Sequence, residues 1–238
     1  MSRPGELCSV KIVVYQQSDP YSAKTRQQNI WFIMVAHFVT VLLTGFIIYT
    51  AWAPGASLFS WHPTFMAIAF MMLMFEGILM FSPQSSLVVN WSRSSKVTAH
   101  WICQTTGVVC ALLGLAAILY NKHLKDKPHF TTWHGLLGII TVAFACFELL
   151  GGLCVKYSQT LLKGIKIRLA DLKMYHATAG LVLFILACVT TILGMFSNFY
   201  TRNVQGTSYY MSIACVALIS LIITNQVTQS FLPKVNKR

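Results

Sequence analysis

Six apolar stretches, each of about twenty residues or more, run through the chain near positions 30–52, 61–81, 97–120, 133–155, 175–199 and 209–231. Crossing the roughly 30 Å hydrocarbon layer of a bilayer takes about 20 predominantly apolar residues in a helix. Backbone polar groups in that layer must be satisfied internally, so helices and closed barrels are the only spanning structures. Stretches of this length read as helices. Composition agrees, since 55% of the 238 residues are hydrophobic and 10% are charged, against about 25% charged in a soluble domain. The sequence predicts an all-α, multi-pass membrane protein: an N-terminal tail at 1–29, a six-helix transmembrane domain at 30–231 and a C-terminal tail at 232–238. The first stretch begins too far in and is too long for a cleavable signal peptide, so it reads as a retained helix.

Orientation follows from the basic residues. Of the 18, only Lys122, Lys125, Lys127 and Arg202 fall outside the side that holds both tails and the second and fourth loops. Lys and Arg accumulate in cytoplasmic loops, so both termini are expected to be cytosolic. The net charge of +12 then reflects that bias and contact with anionic lipid; no nucleic-acid partner is implied. Asn90 opens an NWS sequon that would face the cytosol and stay unglycosylated. The seven cysteines form no C-x-x-C pair and read as small packing residues.

Four histidines lie near the starts of apolar stretches: His62 in SWHP, His100 in TAHW, His134 in TWHG and His176 in MYHA. Consecutive helices cross in opposite directions, so His62 and His134 are expected in the outer leaflet and His100 and His176 in the inner one. Imidazoles paired on facing helices suit a haem iron, which takes axial ligands from both sides of the macrocycle. Zinc usually wants three or four ligands at one place. Helices two to five would thus form a four-helix di-haem core. The recurrence of SWHP and TWHG hints at two related helix pairs. His100, Gly107 and Gly114 at intervals of seven, and Gly138 and Gly180 four residues after their histidines, are expected to leave room for a flat ring or to bring helices together. His37, with no counterpart at its depth, is expected to make an interhelical hydrogen bond.

Charged residues inside the stretches need a partner, water or a proton. Glu76 and Glu148 each follow an outer histidine by fourteen residues, which on an α-helix returns nearly to the same face. Both are expected near the inner haem, as proton-transfer groups or bonded to Lys96 or Lys173. Those two lysines sit about one turn from His100 and His176 and suit haem propionates or a small anionic donor, with Arg93 and Arg168 adding to the field. On the outer side, NKHLKDKPHF offers His129 and three lysines to an anionic radical or a chelated ferric ion, or simply to solvent.

Six helices with a histidine in each of the second to fifth, together with SLFSWHPTFM, FSPQSSL and LKMYHATAGL, resemble the cytochrome b561 family of transmembrane ascorbate-dependent reductases. The resemblance implies two haem b groups, one held by His62 and His134 and the other by His100 and His176. Electrons would pass from cytosolic ascorbate to monodehydroascorbate or ferric iron on the lumenal or extracellular side. It also implies a homodimer in the endoplasmic reticulum or a cytoplasmic vesicle membrane. Where the family carries a basic ALLVYR-type stretch and an SLHSW motif, this chain has GILMFSPQSS and TTWHG, so no further catalytic residue is carried over. From the residues alone, a histidine-lined proton or metal transporter without haem and a quinol-linked di-haem cytochrome b remain open.

Overall fold

Polar caps mark where the spanning helices begin. Ser57, Ser92 and Thr132 each turn a side-chain oxygen to a backbone N–H in the first turn of the helix that follows, satisfying donors that have no intrahelical partner. The computed structural model describes residues 20–82, 86–164 and 166–231, with side chains from 34 to 229. The expected C-terminal tail and residues 1–19 of the N-terminal one lie outside the described residues. Among the described residues the chain is all-α, with no strand.

Six long helices correspond to the six apolar stretches. They are α1 (Pro20–Trp52), α2 (Leu58–Leu79), α3 (Arg93–His123), α4 (Trp133–Lys156), α5 (Leu169–Met195) and α6 (Thr207–Phe231). α1 starts ten residues before its apolar stretch, and α3 and α5 start four and six residues before theirs. His100 and His176 therefore lie well inside their helices, each seven residues beyond the first. α2 is not uniform. Pro63 lacks the N–H that would close a helical bond, and Ala67–Met74 is π-helical. A π segment takes up about one extra residue, which turns every face beyond it by about 100° relative to a straight α-helix.

α2 pairs with α3, and α4 with α5. Fully buried side chains come mainly from α1, α2, α5 and α6, among them Phe75, Met71, Phe184 and Ile219. Lipid is as apolar as leucine, so close packing rather than transfer out of water holds these helices together. α3 and α4 are far less covered, with 22% and 17% of their most apolar windows buried against 44% for α1 and α2. Their remaining surfaces face lipid or a cavity.

The glycines of α3 serve helix packing. A Cβ on Gly107 would stand 3.3 Å from the Ala69 carbonyl oxygen, and one on Gly114 would stand 3.1 Å from Phe65 Cβ. Of the two readings open for this stripe, room for a ring or close helix packing, the contacts are those of packing, with α2 lying against α3. Gly138 and Gly180 likewise face Thr190 and Glu148 across the α4–α5 contact.

Candidate functional site

The helices bring the four histidines together as two couples at opposite ends of the bundle. His62 of α2 meets His134 of α4 with ring centres 6.0 Å apart and planes at 79°. His100 of α3 meets His176 of α5 at 6.3 Å and 89°. A metal ion between two imidazoles, with bonds of about 2 Å to each, needs ring centres roughly 6 Å apart, so both couples fit one. No group of three or more His, Cys, Asp or Glu gathers among the described residues. Each couple thus offers two imidazoles from different helices, a set that would hold a haem iron.

Three of the four rings use Nδ1 to hold their place. His62 Nδ1 donates to the Gly114 carbonyl (3.0 Å), His100 Nδ1 to that of Gly77 (2.8 Å) and His134 Nδ1 to that of Thr190 (2.9 Å). A carbonyl only accepts, so in these three rings the proton sits on Nδ1 and leaves the Nε2 lone pair for a metal. A Cβ on Gly77 would lie 2.5 Å from Gln104 Nε2, so the end of that side chain would have to move aside. His134 rests on Gly194, where a Cβ would stand 2.9 Å from its Cε1. His176 differs: its Nδ1 lies 2.8 Å from Glu148 Oε2, without the alignment of a hydrogen bond.

At the end where α3 and α5 begin, the His100–His176 couple lines a cavity of about 840 Å³. Lys96 and Lys173 line it as the sequence leads one to expect, and so do Arg93 and Glu148. Lys156, which spacing from a histidine did not single out, joins them from the last turn of α4. Its Nζ lies 4.3 Å above the Trp101 ring and 5.2 Å from that of Tyr157, so cation–π attraction holds the charge at the wall. Its signal in the sequence was its place in the basic fourth loop. Arg168 instead forms a two-pronged pair with Asp171 at 2.8 and 2.9 Å, which raises the guanidinium above its ordinary pKa.

Only one of the two carboxylates reaches the couple. Between His134 and Glu148 α4 is regular, and fourteen residues return to the same face. Between His62 and Glu76 the π segment intervenes, and Glu76 turns to α1, where Oε1 lies 2.7 Å from His37 Nδ1. The interhelical bond expected of His37 is present, and its partner is Glu76. Neither carboxylate is within 4.0 Å of Lys96 or Lys173. His129 is exposed in the loop after α3, beside Phe130.

These couples in a six-helix bundle define a class, and comparison names it. Residues 61–201 match the family described as eukaryotic cytochrome b561, and the chain belongs to the cytochrome b561 family. It is 43% identical over 197 residues to the transmembrane reductase CYB561D2 of Mus musculus, covering 83% of this chain and 87% of that protein. It is 38% identical over 202 residues to the probable transmembrane reductase CYB561D1 of Homo sapiens, covering 84% and 86%. It is 27% identical over 173 residues to the lysosomal membrane ascorbate-dependent ferrireductase CYB561A3 of Bos taurus, covering 71% and 62%. The family is haem-binding, and the chain is a multi-pass membrane oxidoreductase.

Proposed function

We propose that this chain takes electrons from cytosolic ascorbate and delivers them to monodehydroascorbate or a ferric chelate on the lumenal or extracellular side. The carriers are two haem b groups, held by His62 with His134 and by His100 with His176. The observation that carries the reading is the pair of imidazole couples at opposite ends of the bundle, 6.0 and 6.3 Å between ring centres. Haem held by these four histidines would supply reversible one-electron chemistry.

The chain's own residues place the two ends. Both termini, and the cavity beside His100 and His176, are assigned to the cytosol by the distribution of basic residues. Lys96, Lys156, Lys173 and Arg93 give that cavity a positive field, and among the described residues no carboxylate is in ion-pair contact with any of them. Such a wall raises the local concentration of a small anion such as ascorbate. At the opposite end, His129 and the lysines of its loop are open to an anionic acceptor. Glu76, bonded to His37, ties α1 to the core. The proton-transfer role considered for it and for Glu148 is not needed for this reading. Relatives whose names specify ascorbate-dependent ferrireduction support the choice of donor and acceptor.

The test is optical. The full-length protein purified in detergent is expected to show a Soret band that shifts when ascorbate is added. A colourless protein would sink the reading, and a haem spectrum unmoved by ascorbate would remove ascorbate as the donor.

A further inference from the structure

Three of the four histidines rest on backbone carbonyls, and the fourth rests on a carboxylate. The rings of His62, His100 and His134 are held by neutral acceptors, whereas His176 has Glu148 Oε2 at 2.8 Å from Nδ1. Glycine surrounds that contact. A Cβ on Gly151 would come within 3.9 Å of Glu148 Oε1 and 4.0 Å of His176 Nδ1, a Cβ on Gly180 within 3.9 Å of Glu148 Oε2, and a Cβ on Gly152 within 3.3 Å of His176 Cε1. Glu148 is largely covered, with 16% of its side chain exposed, and no lysine or arginine among the described residues lies within 4.0 Å of it. Its carboxyl group is therefore directed at His176.

We propose that Glu148 is a positioning residue that sets the two haem sites apart electronically. Its carboxylate makes His176 the most electron-donating of the four ligands and lowers the reduction potential of the haem held by His100 and His176. The inference rests on the haem reading above. An anion beside the outer nitrogen of a ligating imidazole fixes the ring and raises the basicity of the other nitrogen. A more basic ligand favours ferric over ferrous iron. Among the described residues no carboxylate lies within 4.0 Å of His62 or His134, and Glu76, the counterpart of Glu148 on α2, is turned to His37 rather than to His100.

The experiment is a spectroscopic redox titration of the haem-loaded, full-length protein. The wave belonging to the His100–His176 site is identified as the one missing from His100→Ala. Glu148→Gln, which keeps the shape and removes the charge, is expected to raise that wave alone. The change corresponds to about a tenfold shift in the ferric-to-ferrous ratio, about 59 mV for one electron. The low-spin ferric resonance of the same site should change with it. Glu148→Asp should return the wave most of the way to wild type, and Glu76→Gln should move neither wave. If Glu148→Gln loses that haem, Glu148→Asp decides. A restored wave at the wild-type potential supports the inference; a restored wave shifted up by about the same tenfold, or none, overturns it. Glu148→Gln with both waves unmoved, or both moved equally, overturns it too. A wild-type protein without haem defeats the reading beneath, and is told apart by its spectrum before any variant is made.

Discussion

The two histidine couples match in spacing and differ in surroundings. Both place imidazole centres about as far apart as shared ligation of one metal ion requires, at 6.0 and 6.3 Å. Around His62 and His134 the neighbours are aromatic and backbone groups: Phe59 lies 6.5 Å from the His62 ring and packs at a tilt against Phe199, and Gly194 presses on His134. Around His100 and His176 there are a cavity, four cations and a carboxylate. Holding an iron requires only the couple. At the His100–His176 end the charged side chains line the cavity beside the couple itself.

The comparison can be broken most sharply at the rings. Replacing all four histidines by alanine should abolish the Soret band, whereas His62→Ala or His100→Ala alone should each remove about half of it, because the couples share no residue. Next in size is Gly194→Leu. Its side chain would collide with His134 and add about 1–3 kcal/mol of overpacking, so the site at that end should be lost while the other keeps its spectrum. A smaller effect should follow from replacing Lys96, Lys156 and Lys173 together by alanine. The KM for ascorbate should rise about tenfold at low salt, and the difference should shrink as salt screens the wild-type field. Smallest should be His37→Ala, which leaves Glu76 without that partner. The cost is about 1–3 kcal/mol, seen as a lower thermal midpoint with an unchanged spectrum.

What could be read from the sequence depended on how regular each helix is. The six spans, the depth of each histidine and their pairing follow from period, length and alternation of direction, and α4 keeps its phase from His134 to Glu148. The same fourteen-residue argument failed for Glu76 because α2 contains Pro63 and then a π segment, and nothing in AIAFMMLM announces one. The glycines of α3 were ambiguous for another reason. A missing side chain leaves room for a neighbour without saying whether that neighbour is a macrocycle or a helix, and Ala69 and Phe65 occupy the space. Lys156 was hidden because its value comes from Trp101, more than fifty residues away in sequence.

The hydrogen bonds from the histidines also act as latches. α2 and α3 are clasped at one end by His62 on Gly114 and at the other by His100 on Gly77. Slippage of one helix along the other by a single residue would break both clasps at once and leave two ring protons stranded in a dry interior. A carrier that rocks between inward- and outward-facing forms needs its helices free to slide. These are riveted at two heights, which suits the proposed electron carrier, whose two couples have to keep a fixed separation.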